Sequence, residues 1–309
     1  MRIHHLNCGT MRILGGAAVI GGAGPLNRAR GVTHCILAET DDGLLLIDTG
    51  VGTRDYTHPS LMMRWAVFAS SMPRRLEETA VAQVRALGYT PEDVRHIVLT
   101  HCHMDHTGGL PDFPRARVHI FAEEYAGVVR PRDVVEWGTF RREHFAHGPD
   151  WTVHGLEGDR WFDFDCTRPV DLGSTRFCLV PLPGHSRGHC GVALQTPDGW
   201  LFHCGDAYGY HREVDPVNPA PPPYQHTVRP FFNVLGIMRA IGRHNARLQA
   251  LLRTHGDKVQ ITNAHDPVEL EKFLPPRVYP DRVYPIMGAL IHLSGAPHHA
   301  QVSRSGPHP

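Results

Sequence analysis

Short apolar runs punctuated by turn residues dominate the chain. Arg2 to Leu6, Thr33 to Thr40 and Gly43 to Asp48 read as strands, and Asp41-Asp42-Gly43 between the last two predicts a hairpin. Gly52 to Pro73 carries Met62, Met63, Trp65 and Phe68 without a polar period, so an irregular stretch is expected. Pro73 to Leu87 reads as an amphipathic helix, with Leu76, Ala80, Val84 and Leu87 near one face and Gly88 as its stop. Pro91-Glu92-Asp93-Val94 then leads into the apolar run His96 to Thr100. Val118 to Phe121 is a further strand and Ala122 to Val129 a short helix. Pro131 to Asp159 shows no period and reads as an insertion. Strands follow at Arg168 to Leu172, Arg176 to Leu182, Cys190 to Thr196 and Trp200 to Cys204, with Pro197-Asp198-Gly199 as a turn. Pro216 to Pro230 is a proline-rich loop, Phe232 to Thr254 the longest helical pattern, and Val259 to Thr262 a last strand.

The chemistry concentrates directly after the run that ends at Thr100. His101-Cys102-His103-Met104-Asp105-His106 places three imidazoles and a carboxylate within one short string. Borderline divalent metals such as zinc prefer this mixture of nitrogen and oxygen donors. On an extended backbone His101 and His103 project to one side, and Asp105 and His106 follow where the chain bends. The plainer reading, a solvated polar turn, explains the clustering poorly, because such residues are ordinarily dispersed over the surface. Cys102, Cys190 and Cys204 read as packed thiols.

These residues resemble the HxHxDH signature of the metallo-β-lactamase superfamily. Four further pieces occur in the expected order: Asp48-Thr49-Gly50, the stretch Pro183-Gly184-His185-Ser186-Arg187-Gly188-His189, Gly205-Asp206, and His265. Each follows an apolar run, and the match spans about residues 1 to 275. The resemblance implies an αββα four-layer sandwich, two sheets face to face with helices outside. It implies one metal held by His101, His103 and His185, a second held by Asp105, His106 and His265, and Asp206 bridging both. Spacing alone does not choose between His185 and His189; the resemblance favours His185 and leaves His189 a structural part. The resemblance implies that Asp48 braces the ligand loop by hydrogen bonds rather than ligating, with a plain hairpin-end aspartate as the equal alternative.

Two zinc ions per chain are the implied cofactors, with iron or manganese as alternatives. Two such metals can share one hydroxide and polarise a substrate oxygen, so hydrolysis is the expected reaction. Asp105 would orient the hydroxide and carry the proton to the leaving group. Tyr208 and Tyr210 follow the bridging aspartate. In the lactonase branch a tyrosine near this point polarises the substrate carbonyl, which marks Tyr208 as a second catalytic candidate; aromatic packing is its plainer role. A lactone or carboxylic ester of a small molecule is the favoured substrate. A β-lactam, thioester, sulfate or phosphodiester hydrolase, or an iron-dependent sulfur dioxygenase, is the alternative.

Composition adds limits. The chain has 309 residues, read as one catalytic domain over 1–275, with insertions near 52–73 and 131–159, and a proline- and histidine-rich extension over 276–309. Acidic and basic residues balance at 31 each, which disfavours nucleic acid as a partner. The 24 histidines exceed any single site, so His292, His298, His299 and His308 read as surface residues. Seven cysteines without a CxxC spacing suggest reduced thiols in a cytoplasmic protein. Ile13 to Gly24 follows His4, His5 and Asn7 rather than a basic leader, and no run is long enough for a bilayer, so no membrane is expected. The apolar side chains between 62 and 68 suit a substrate lid or a homodimer patch equally.

Overall fold

The computed structural model describes residues 1–14, 16, 20–21, 28–223 and 241–274. The expected extension 276–309, the second part of the Pro216 to Pro230 loop (224–230) and the first part of the Phe232 to Thr254 helix lie outside the described residues.

The strands, in chain order, are β1 (Ile3–Asn7), β2 (Met11–Leu14), β3 (Arg28–Gly31), β4 (His34–Thr40), β5 (Gly43–Ile47), β6 (Val94–Val98), β7 (Arg117–Phe121), β8 (Asp150–His154), β9 (Leu156–Trp161), β10 (Phe164–Thr167), β11 (Val170–Asp171), β12 (Arg176–Pro181), β13 (Cys190–Thr196), β14 (Gly199–His203) and β15 (Val259–Thr262). One sheet has the order β1-β4-β5-β6-β7-β8, and a second runs β11-β12-β13-β14-β15. The pairs β2 with β3 and β9 with β10 form small ribbons. In the first sheet β1, β4 and β5 are antiparallel, whereas β5 through β8 are parallel. In the second, only β14 and β15 run parallel.

Side chains alternate across a strand, so a strand buried on both faces feeds two separate cores. Cys35 and Leu37 of β4, with Leu44 and Leu46 of β5, pack outward into a cluster that holds Ala80, Val81 and Val84. Their neighbours Ile36, Ala38, Leu45 and Ile47 point the other way, into a cluster with Leu179, Val192, Leu194 and Leu201 of the second sheet. Cys178, Val180, Ala193 and Phe202 fill the far side of that sheet, against Leu248 and Leu251. Three apolar layers between four structural layers make the αββα sandwich that the resemblance implied.

The helices are α1 (Thr53–Thr57), α2 (Leu61–Ala69), α3 (Ala80–Ala86), α4 (Met104–Thr107), α5 (Ala122–Val129), α6 (Val134–Thr139), α7 (Arg142–Phe145), α8 (Asn245–His255) and α9 (Pro267–Glu271). Three sequence expectations need correction. Gly52 to Pro73 is not irregular: it forms α1 and α2, the latter capped by Ser60, whose hydroxyl accepts from Met63 N. Met63 and Val67 of α2 are buried while Leu61, Trp65 and Phe68 are exposed, so the helix lacks the polar outer face that would have revealed its period. The Pro73 to Leu87 helix begins only at Ala80, after a 3-10 turn at Leu76–Glu78, because the Thr79 hydroxyl caps it by accepting from Ala82 N. The supposed insertion 131–159 supplies β8, an edge strand of the first sheet, as well as α6 and α7.

Candidate metal centre

Strands of both sheets end at one rim, and the ligand-type side chains follow those ends. His101, His103, Asp105 and His106 follow β6; His185 follows β12; Asp206 follows β14; His265 follows β15. Cross-links between the loops hold the rim together. The backbone N–H of Cys190 donates to Thr100 O at 2.9 Å, that of Ala264 to Gly205 O at 3.0 Å, and that of Thr49 to His106 O at 2.9 Å.

The structure gathers all seven residues. Donor atoms of His101, His103 and His185 lie within 4.8 Å of one another, as do those of Asp105, His106 and His265, and those of His101, His106 and Asp206. Asp206 sits between the sets: its Oδ2 is 3.1 Å from both His185 Nε2 and His265 Nε2, and its Oδ1 is 3.5 Å from His106 Nε2. His265 Nε2 is also 3.5 Å from Asp105 Oδ2.

Hydrogen bonds to Nδ1 fix which nitrogen faces the centre in three of the rings, His101, His106 and His265. Thr100 N–H donates to Asp48 Oδ1 at 2.8 Å, and the Thr100 hydroxyl donates to Asp48 Oδ2 at 2.7 Å. The Thr100 oxygen therefore accepts from His101 Nδ1–H at 3.1 Å, which leaves His101 Nε2 with its lone pair. Asp48 Oδ2 also accepts from His106 Nδ1–H at 2.8 Å. Val32 O accepts from His265 Nδ1–H at 2.8 Å. Each free Nε2 then faces the group around Asp206, the arrangement in which carboxylates and carbonyls behind metal-binding histidines orient them. Asp48 holds this position with φ of 55°, a left-handed conformation that aspartate tolerates better than most residues.

His189 resolves the ambiguity with His185. Its Nδ1–H donates to Leu182 O at 2.9 Å, and its Nε2 accepts from Asp206 N–H at 2.8 Å. Both nitrogens are occupied by backbone, so His189 positions Asp206. A Cβ at Gly205 would stand 2.7 Å from His189 Nε2 and 2.9 Å from Thr100 Cβ, so glycine is required in that turn.

The electrostatics show a site built for cations. His101 Nε2, His106 Nε2 and Asp206 Oδ1 are buried without a hydrogen-bond partner among the described residues, a costly state for polar atoms. Burial, then His106 and His103, pulls His101 well below the ordinary histidine range. Burial and His185 do the same to His103. Burial also depresses His106, but Asp48, Asp206 and Asp105 outweigh it and raise the group to about 9. In His265 the same contest, with Asp206 the strongest opponent of burial, ends at about 10. Burial would raise Asp206, yet His265, His106 and His185 hold it well below the carboxylate range. A buried, ionised carboxylate surrounded by imidazole nitrogens is the donor set that divalent cations take, the cation displacing the protons that Asp206 otherwise holds on His106 and His265.

Tyr208 is not brought to this group. It is 1% exposed and packs with Cys204, Ala207, Val214, Leu248 and Leu251 on the outer side of the second sheet. Its hydroxyl is buried without a hydrogen-bond partner among the described residues. Burial, then Glu269 and Cys204, pushes the phenol well above its ordinary range. Asp206 and Tyr208 are near in sequence, but the turn between them directs the two side chains into different layers. Cys102, Cys190 and Cys204 are packed, buried thiols.

Sequence reasoning missed two supports. Asp55 Oδ1 lies 3.0 Å from His144 Nε2, and His144 Nδ1 lies 2.9 Å from the Thr107 hydroxyl, so α7 is tied to α1 and to the ligand-bearing α4. The second is Glu124, a buried carboxylate on the face of α5 that also carries Gly127. An acid on an inward helix face was the signal that could have found it.

Comparison with known proteins agrees with this geometry. The profile of the metallo-beta-lactamase superfamily matches residues 28–241. A Mycobacterium tuberculosis protein named "probable metallo-hydrolase" is 39% identical over 280 residues, covering 86% of this chain and 81% of that one. An N-acyl homoserine lactonase of Azorhizobium caulinodans is 32% identical over 123 residues, 40% of this chain and 44% of the lactonase. A solved N-acyl homoserine lactone hydrolase, with N-hexanoyl-L-homoserine at its catalytic metal centre, superposes with a TM-score of 0.61 at 19% identity, covering 88% of this chain and 96% of that one.

Proposed function

The chain belongs to the metallo-beta-lactamase superfamily, and from that premise we propose a dinuclear-zinc hydrolase that opens a lactone or cleaves a carboxylic ester of a small molecule. The observation that carries this reading is Asp206, one carboxylate standing between two separate sets of ligand-type side chains. His101, His103 and His185 would hold the first cation, Asp105, His106 and His265 the second, and Asp206 would bridge them. When bound, such a pair supplies Lewis acidity and makes a water acidic enough to ionise near neutral pH.

The chain's own groups do the rest. Asp48, Thr100 and Val32 keep the Nδ1 protons of His106, His101 and His265 away from the centre. Asp105, whose carboxylate is 22% exposed and therefore open to a substrate, would orient the attacking water, take its proton on an Oδ and return it to the leaving oxygen. The ring of Phe140, on the segment following α6, lies 5.9 Å from that of His103 and would give the pocket an apolar wall. Similarity to named lactonases supports the acyl-type substrate.

In this reading the partner is a small-molecule substrate and the setting cytoplasmic. The cysteines are all unpaired, as a reducing compartment would keep them. No helix among the described residues is long and apolar enough to cross a membrane. Metal analysis of purified protein, with turnover of acyl-homoserine lactones, aryl esters, a β-lactam, a thioester and a bis-aryl phosphate, tests the reading. About two zinc per chain with lactone or ester turnover is expected. One iron per chain with oxygen uptake would replace it with a dioxygenase.

A further inference from the structure

Glu124 is a carboxylate with 1% of its surface exposed, and among the described residues it has no cationic ion-pair partner; the nearby Arg187 pairs with Glu136 instead, at 3.3 Å. Burying an acid without a counter-charge is costly unless its oxygens are hydrogen-bonded. Here they are, by three donors from two loops. Oε1 accepts from Cys102 N–H at 2.7 Å. Oε2 accepts from the Ser186 hydroxyl at 2.7 Å and from Gly188 N–H at 3.0 Å.

The identity of the donors is what matters. Cys102 lies between His101 and His103, while Ser186 and Gly188 flank the other side of the group just after His185. The two loops leave strands of different sheets, β6 and β12, so the spacing of these three histidines is not set by either sheet alone. Thr100 and Cys190 join the loops at the strand side. Glu124 joins them at the ligand side. Gly188 is pressed so closely on α5 that a Cβ there would meet Glu124 N at 2.0 Å and its Cα at 2.5 Å. The helix, the carboxylate and both loops therefore form one block.

We infer that Glu124 is a positioning residue that clasps the 101–103 and 185–188 loops together and so preforms the His101, His103 and His185 cation site, leaving the Asp105, His106 and His265 set independent of it. This rests on the two-cation reading above. The amide of Gln has one accepting oxygen, and its N–H groups find no acceptor in Cys102 N–H or Gly188 N–H, so Glu124→Gln removes at least one tie of the clasp with little change of volume.

The test is zinc titration of metal-free protein against a competing chelator, with no turnover assay involved. In a His265→Ala background, where the first set remains whole, Glu124→Gln is expected to weaken zinc binding tenfold to a hundredfold, the usual effect of removing a group that orients ligands. In a His185→Ala background, where the first set is already broken, the same change should leave zinc binding within threefold. Equal weakening in both backgrounds would mark Glu124 as a general structural support and overturn the proposal; so would no weakening in either. If Glu124→Gln fails to fold, Ser186→Ala decides, with loss of one donor predicted to weaken only the His265→Ala protein. A chain with wild-type residues at all these positions that takes up no zinc refutes the hydrolase reading itself and this inference with it. Two well-filled sites with no effect at position 124 refute this inference alone.

Discussion

Asp48 serves three donors with two oxygens, and one of those donors is the ring of His106. Asp48→Asn must turn an N–H toward at least one of them, and metal affinity should fall tenfold to a hundredfold, read by zinc titration. An unchanged affinity would mean that His106 is oriented by something else. For Tyr208 the expectation runs the other way. Its hydroxyl is buried and unpartnered among the described residues, so Tyr208→Phe should leave turnover within about twofold and stability equal or higher by up to about 1 kcal/mol. A fall in kcat of two orders of magnitude would return the phenol to catalysis. Residues such as His101 to His106 were readable in the sequence because they are contiguous, and contiguity at a strand end leaves little freedom. His185 and His189 were not separable, because the choice depends on where Leu182 O and Asp206 N point. Tyr208 misled for the same reason: adjacency to Asp206 says nothing about which layer a side chain enters.

Among the elements, strands with both faces buried announced themselves as apolar runs, which is why β4, β5, β12 and β13 were found nearly to the residue. Less legible were elements at the margins. The edge strand β8 is Asp-Trp-Thr-Val-His, polar enough to pass for loop, and α2 exposes Leu61, Trp65 and Phe68 where a polar face was sought. The role of α7 was invisible because its key residue, His144, acts through Asp55 and Thr107, distant positions in the chain. His144→Ala leaves Asp55 Oδ1 without this partner and the Thr107 hydroxyl with only His103 O. It should cost about 1–3 kcal/mol in denaturant unfolding. A loss below 0.5 kcal/mol, roughly the range of ordinary surface changes, would show that α7 is not anchored there.

At the scale of the molecule, buried neutral histidines set the acid response. Asp42 Oδ2 accepts from His96 Nε2–H at 3.1 Å, so His96 Nδ1 accepts from His119 Nε2–H at 3.0 Å, and His119 Nδ1 accepts from His154 Nε2–H at 2.9 Å. Burial, reinforced by His154, His96 and Arg117, brings His119 from its ordinary 6.5 down to about 3. The unfolded chain therefore binds a proton there that the folded chain refuses. Stability from His119 is complete above 6.5 and is lost as pH falls from 6.5 toward 3, at up to about 1.4 kcal/mol per pH unit. Unfolding measured between pH 7 and 4 should show stability falling toward acid, and His119→Gln should reduce that slope by up to about 1.4 kcal/mol per pH unit; an unaltered slope in the variant would refute the assignment. The rim carries a different consequence. Because β6 belongs to one sheet and β12, β14 and β15 to the other, any cation seated among their ends acts as a rivet through the seam of the sandwich. Its affinity then becomes cohesion: free metal at a hundredfold over Kd adds about 2.7 kcal/mol per site, and a chelator should lower the melting temperature by withdrawing it. Such a protein would sense scarcity of its metal as mechanical loosening, well before any shortage of substrate.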